Sequence, residues 1–278
     1  MIFGNNIVLL ILGKMAKTAS ILSLLAVIAT ASAQSYLTAD GSSDTYTLLN
    51  NFLGNNAIEV PDCAHDVKHI WQGNDGNLNR QVFYFHSHVN EDNDRCMNYD
   101  RQRTEIKSVK SNLYGSHGET LSLSWNFKLD AGFQPSTSFT HLHQLKAVGG
   151  NEKQPIITIT ARKASPNTIQ IIHINGDGTT TYLGSTPLAP FLGTWVHVQQ
   201  EATFWQGGGY YKVKFTRESD GATLYSLEKS NIEMWRPDNS YVRPKWGIYR
   251  SLNDKGSLRD ETVRFDTFCF AKGANKCN

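Results

Sequence analysis

The chain has 278 residues, with Lys+Arg 27 against Asp+Glu 25 and a formal net charge of +2. So even a balance lacks the basic surplus of a nucleic-acid binder, and no nucleic-acid partner is expected. The length is ample for a buried core and suits one large all-β domain or two small ones.

Residues 1–33 read as an export signal. Lys14 and Lys17 supply a positive flank, residues 21–29 are an almost unbroken apolar run, and Ala31-Ser32-Ala33 is a small-residue cleavage site ahead of Gln34. A second apolar stretch, residues 7–12, lies upstream of Met15, and a start at Met15 gives the more conventional signal. The two lysines interrupt the run too soon for a spanning helix, which needs about 20 apolar residues. A secreted, extracellular protein without a membrane partner after signal removal is therefore expected. Residues 34–278 carry no Pro/Ser-rich linker, charge block or repeat, so a single domain and a monomer are expected, with 34–56 the only poorly patterned stretch.

In an exported chain, Cys63, Cys96, Cys269 and Cys277 default to disulfides. Three pairings are formally possible. Proximity in sequence favours Cys63 with Cys96 and Cys269 with Cys277, and without a Cys-x-x-Cys spacing no zinc site is expected.

From residue 81 onward, period-two alternation dominates. Strands are predicted over 81–86, 102–109, 121–129, 139–146, 155–162, 168–174, 195–204, 210–216, 245–250 and 263–270. Leu121, Leu123, Trp125, Phe127 and Leu129 share one parity, for example, and Ser122, Ser124, Asn126 and Lys128 the other. Asn175-Gly176-Asp177-Gly178 reads as a hairpin turn. No amphipathic helix exceeds two or three turns, and without crossover helices the sheets must be antiparallel. The expected fold is an all-β jelly roll, a concanavalin A-like sandwich with one sheet bent into a concave groove for a linear glycan.

Three of these strands place chemistry on one face. In Arg101-Gln102-Arg103-Thr104-Glu105-Ile106-Lys107 the charged residues share one parity, and Arg103 is read as meeting an anionic substrate with Glu105 holding its guanidinium. In Phe139-Thr140-His141-Leu142-His143-Gln144-Leu145-Lys146, parity puts Gln144 and Lys146 on one face and both histidines on the other. In Lys245-Trp246-Gly247-Ile248-Tyr249-Arg250, Lys245 and Tyr249 flank a glycine that bares the backbone between them.

Together and in this order, the segments resemble the strand motifs of the jelly-roll polysaccharide lyases, notably the family-seven alginate lyases and the fungal glucuronan lyases of family twenty; heparin lyase I relatives share the architecture. The Arg-Ser/Thr-Glu motif matches Arg103-Thr104-Glu105, the Gln-Ile/Val-His motif matches Gln144-Leu145-Lys146 with lysine for histidine, and the Lys-Ala-Gly-x-Tyr motif matches Lys245-Trp246-Gly247-Ile248-Tyr249. Gly193-Thr194-Trp195-Val196-His197, Tyr211-Lys212-Val213 and the strand around Asp266 resemble glucuronan lyases further.

The resemblance implies β-elimination on a uronic-acid glycan, glucuronan or alginate-like. Gln144 and Arg103 then neutralise the uronate carboxylate, and Tyr249 takes the C5 proton and protonates the departing O4. A phenol near pKa ~10 needs cations to favour its phenolate, and Arg103, Lys146, Lys245 and Arg250 are the candidates. Lys146, or His143 if a bulge reverses the strand parity, is the alternative base. Arg101, Glu105, Lys245, Arg250 and Trp205 are the expected substrate-binding residues. No cofactor is required, although lyases of this architecture can carry a structural calcium ion, for which Asp266 is the matching residue. Two other readings compete. A jelly-roll glycoside hydrolase would need a second carboxylate beside Glu105, about 5 to 9 Å away. A non-catalytic glycan-binding module would stack sugars on exposed aromatics, of which Trp205 and Trp235 are the candidates.

Overall fold

Period-two alternation is met by two antiparallel sheets laid face to face, each giving one parity of its strands to a shared core. The computed structural model describes residues 33–277, so the expected export signal lies outside the described residues except for Ala33. In chain order the elements are β1 (Ser35–Leu37), helix α1 (Thr45–Leu53), β2 (Ile58–Glu59), β3 (Ile70–Asp75), β4 (Arg80–Ser87), β5 (Arg101–Lys107), β6 (Thr120–Leu129), β7 (Thr140–Val148), β8 (Ile157–Arg162), β9 (Thr168–Ile174), β10 (Thr180–Pro187), β11 (Trp195–Thr203), β12 (Gly209–Arg217), β13 (Thr223–Ile232), β14 (Tyr241–Ser251) and β15 (Glu261–Lys272). One sheet runs β13-β12-β11-β6-β15-β4-β3 with β1 added beside β15, and the other runs β10-β9-β8-β7-β14-β5-β2. This is the expected jelly-roll sandwich.

Leu121, Leu123, Trp125, Phe127 and Leu129 of β6 all point inward, as their parity requires, and meet Leu145, Ile159, Ile171, Trp246 and Ile248 from the other sheet. Trp125 and Trp246 join the two layers edge to face, with ring centroids 5.6 Å apart; burial of such a side chain contributes about 1.5–3 kcal/mol. Both expected disulfides, Cys63–Cys96 and Cys269–Cys277, are formed. The predicted turn after β9 closes through Asn175 N–H to Thr179 carbonyl, 2.9 Å. Among the described residues, no helix is long and apolar enough to cross a membrane.

The poorly patterned start folds as an accessory to the sandwich. Asp44 caps α1 by accepting from the Thr47 N–H, Leu49 and Leu53 bury its apolar side, and Gly54 ends it at φ +109°. The chain then lays β2 along β5, pairing Glu59 with Glu105. That short strand brings an unforeseen carboxylate to the outer face of the seven-stranded sheet.

Candidate active site

The three chemistry-bearing strands are neighbours, in the order β7-β14-β5. Register sets Tyr249 opposite Arg103 and Gly247 opposite Glu105 on one side, and Lys245 opposite Gln144 on the other. Gly247, at φ +149°, lies so near β5 that a Cβ there would stand 2.0 Å from the Thr104 carbonyl oxygen. Close approach of the two strands, rather than room for a ligand, is what requires the glycine.

Arg103, Gln144 and Tyr249 do share the outer face. The Arg103 guanidinium lies 3.7 Å from the centroid of the Tyr249 ring, and Arg101 Nη1 donates to the Tyr249 hydroxyl at 3.2 Å. Gln144 Nε2 donates to Glu105 Oε1 at 2.5 Å. The other Glu105 oxygen pairs with Lys245 at 2.6 Å and Arg103 at 3.1 Å. Glu105 is thus the hub that fixes the amide and both cations relative to one another.

Two further carboxylates join from outside the predicted strands. Glu59 pairs with Lys245 at 2.5 Å, Lys107 at 2.9 Å and Arg103 at 3.3 Å, and Asp94 holds Arg103 Nε at 2.8 Å. Burial works against the Glu59 charge, but Lys245, Arg103 and Lys107 overcome it and hold its carboxyl far below the usual range. Asp94 is likewise lowered against its burial, by Arg103 first. Counting Arg95, Arg101, Arg103, Lys107, Lys146, Arg243 and Lys245 against Glu59, Asp94, Asp100, Glu105 and Glu152, the face remains net cationic.

β7 does not keep its expected parity. A bulge between His141 and His143, where β7 pairs with β8, turns both Leu142 and His143 into the core. The bulge brings out His141, not His143. The His141 ring lies 4.9 Å from Phe139 and 5.7 Å from Tyr249, and its Nδ1 is 2.6 Å from Thr160 Oγ1. Burial, followed by Arg103, Arg162 and Lys245, pushes its pKa down to about 3, so the imidazole is neutral at ordinary pH. His143, only 1% exposed, stacks on Trp125 and leans on Trp246, where it is out of reach of any ligand on the outer face. Lys146 does share the outer face. Burial and then Lys245 lower its pKa to about 8, and it donates to the Glu152 carbonyl.

Other expected residues sit elsewhere. Arg250 has the opposite parity to Tyr249 and is buried inside the sandwich, donating to Gln102 Oε1 at 2.6 Å and to the Arg259 carbonyl at 2.8 Å. It belongs to the packing, not to a substrate. Trp205 is 46% exposed but lies in the β11–β12 connection of the other sheet, against His117 and Gly118, and Trp235 is in the core. Glu105 and Lys245 are buried beneath the face and orient its groups instead of presenting themselves. Asp266 faces outward on the eight-stranded sheet, where Arg80 Nε donates to its Oδ2 at 2.9 Å. A carboxylate capped by arginine does not fit a calcium cage of oxygen ligands.

With this geometry in view, comparison with solved structures is informative. The endo-β-1,4-glucuronan lyase of the fungus Trichoderma reesei superimposes with a TM-score of 0.52, at 17% identity, over 74% of this chain and 89% of its own. A family 7 alginate lyase in complex with substrate gives 0.54 at 12% identity, over 80% and 94%. The chain has the fold of these lyases. An alginate lyase from Klebsiella pneumoniae agrees, with a TM-score of 0.53 at 13% identity over 79% and 95%. No family model matches the sequence, and no curated protein does. At such identities the likeness is one of fold, and the chemistry must be argued from the site itself.

His141, Glu59 and Asp94 were missed by sequence reasoning. The signal for His141 was present: Leu142 and Leu145 are both core residues three apart, a spacing that period two forbids without a bulge. Glu59 and Asp94 lie on a two-residue strand and a loop, where no pattern marks them.

Proposed function

We propose that the chain is a secreted polysaccharide lyase that cleaves a β-linked uronate glycan by elimination. The observation that carries this reading is Tyr249, with the Arg103 guanidinium against its ring and Arg101 on its hydroxyl, beside a glutamine amide already oriented by Glu105. Held by one arginine at its ring and another at its hydroxyl, the phenol oxygen is fixed where it can exchange a proton with a sugar lying on the face.

The steps follow from the placement. Gln144 is held by Glu105 and is only 2% exposed; in this reading its remaining amide hydrogen meets the uronate carboxylate from beneath and lowers the cost of charge developing there. The Tyr249 oxygen takes the C5 proton, the C5 electron pair forms the C4–C5 double bond, and the C4–O4 bond breaks. The proton now on Tyr249 passes to the departing O4. A single group serving both steps requires the C5 proton and O4 on the same side of the ring, as in β-linked glucuronate and mannuronate. Neutral His141 and Phe139 wall the tyrosine, and Arg95 and Arg101, each over a third exposed, are cations open to the polyanion.

A hydrolase reading asks for a carboxyl with a raised pKa to protonate the leaving group. Glu59 and Asp94 are shifted the opposite way, which favours elimination. Two disulfides support an oxidising, extracellular setting. The test is an ultraviolet screen for the unsaturated uronate product on glucuronan, polymannuronate and polyguluronate. Product is expected from glucuronan or polymannuronate; efficient cleavage of polyguluronate would contradict the single-tyrosine mechanism, and no product from any uronate polymer would contradict the lyase reading.

A further inference from the structure

A second constellation lies off the charged face, where the segment between β2 and β3 meets the end of β4. His65 Nε2, His69 Nε2 and His88 Nδ1 converge on one oxygen of Asp92, at 2.8, 3.0 and 3.4 Å. The four candidate ligand atoms all lie within 4.8 Å of one another. The three rings stand edge to face around the oxygen, with centroids 4.9 to 5.6 Å apart. A carboxylate oxygen has two lone pairs, so three imidazoles are more than hydrogen bonding alone can use.

We propose that His65, His69, His88 and Asp92 form a structural zinc site. Four ligands around zinc at about 2.0–2.1 Å stand roughly 3.3 Å apart, a separation the Asp92–histidine distances already bracket. Three imidazoles and one carboxylate suit zinc rather than calcium or magnesium, which take oxygen ligands.

The surroundings are those of a prepared site. His69 Nδ1 is 2.6 Å from Asp62 Oδ1, and Asp62 Oδ2 accepts from the Tyr46 hydroxyl at 2.9 Å. With zinc bound, the Asp62 carboxylate would keep a proton on Nδ1 and so turn the Nε2 lone pair to the ion. The second oxygen of Asp92 accepts from the His88 backbone N–H at 2.6 Å, which holds that carboxylate in place. His69 and Asp92 are fully buried, whereas His65 and His88 keep part of their rings in solvent and give the ion a way in. The absence of paired cysteines does not count against zinc when imidazoles supply the ligands.

The site would clamp the stretch that builds the anionic half of the charged face. Asp94, two residues beyond Asp92, holds Arg103, and Cys63 and Cys96 join the same two segments covalently. Zinc and the disulfide are then parallel ties on one loop.

The test uses the full chain without a histidine tag, dialysed against zinc and then against metal-free buffer. About one zinc per chain by mass spectrometry is expected, with cobalt(II) giving the visible bands of a four-coordinate ion. Thermal unfolding should shift upward with zinc and back with chelator. The His65→Ala/His88→Ala double variant, chosen because both rings are partly exposed, should fold by circular dichroism and lose the metal. Asp62→Asn should weaken zinc binding about 10–100-fold. No bound zinc in the wild type, equal zinc in wild type and double variant, or a preference for calcium would overturn the proposal. None of these readouts depends on a glycan, so the zinc and lyase readings stand or fall separately.

Discussion

The two outer faces of the sandwich are both polar, yet only one links its charged groups through a shared carboxylate. On the eight-stranded sheet, Arg80 pairs with Asp266, Arg264 with Asp75, and His197 Nδ1 lies 2.6 Å from Asn126 Oδ1. On the seven-stranded sheet the same residue types occur, but Glu105 links Arg103, Lys245 and Gln144, and a tyrosine lies on top. Polarity and ion pairs come with any solvated sheet; what differs is a connected network gathered beside one tyrosine. The contrast teaches that a polar face becomes a candidate site through connectivity, not through composition.

The sharpest way to break the comparison is Tyr249→Phe, which removes one oxygen and keeps the packed ring. Activity on the preferred polymer should fall by about 10²–10⁴-fold, the usual contribution of a positioned acid or base, while polymer binding by calorimetry persists. Next comes the hub. Glu105→Gln strips the anion from buried Lys245 and largely buried Arg103, and should cost about 3 kcal/mol by urea unfolding, the low end for a broken buried pair because Glu59 still holds both cations.

A pH titration separates Glu59, on the charged face, from Glu261, which lies off it. Glu59 is depressed below the ordinary glutamate value of 4.5, so the stability it contributes is complete above that value and is lost as pH falls beneath it. Glu261, at the inner end of β15, behaves in the opposite sense. Burial raises its pKa to about 7 despite the Gln134 N–H and Arg259. The folded state then holds a proton that the unfolded chain releases, and stability falls as pH rises from 4.5 to about 7. Urea midpoints should show wild type losing on the order of 2–3 kcal/mol relative to Glu261→Gln across that window. The smallest effect on turnover belongs to the other face: Asp266→Asn should leave it unchanged, while costing about 1–3 kcal/mol of stability because Asp266 is buried though its Arg80 partner is half exposed.

How much of this was legible in the sequence depended on where each residue sits in its sheet. The ten predicted strands are β4 to β9, β11, β12, β14 and β15, with shifted ends. Those that escaped, β1, β2, β3, β10 and β13, lie at sheet margins. An edge or short strand buries no clean face: in Thr180–Pro187 and Thr223–Ile232 the few apolar residues, such as Leu183, Leu224, Tyr225 and Leu227, are only partly buried and do not alternate. Arg103, Gln144 and Tyr249 were readable because continuous strands carry their parity; His141 was hidden by a bulge, and the misplacement of Arg250 came from counting charge without parity. Glu59, Asp94 and the histidine cluster depend on loop closure across tens of residues, for which a linear pattern carries no signal.

The most direct measurement counts two kinds of chain end as a uronate polymer is cut. Elimination should yield one unsaturated, ultraviolet-absorbing end for every new reducing end, and the Tyr249→Phe variant should lose both together. Reducing ends that accumulate without unsaturated ones, or a phenylalanine variant as fast as the wild type, would contradict proton transfer by Tyr249 on the charged face.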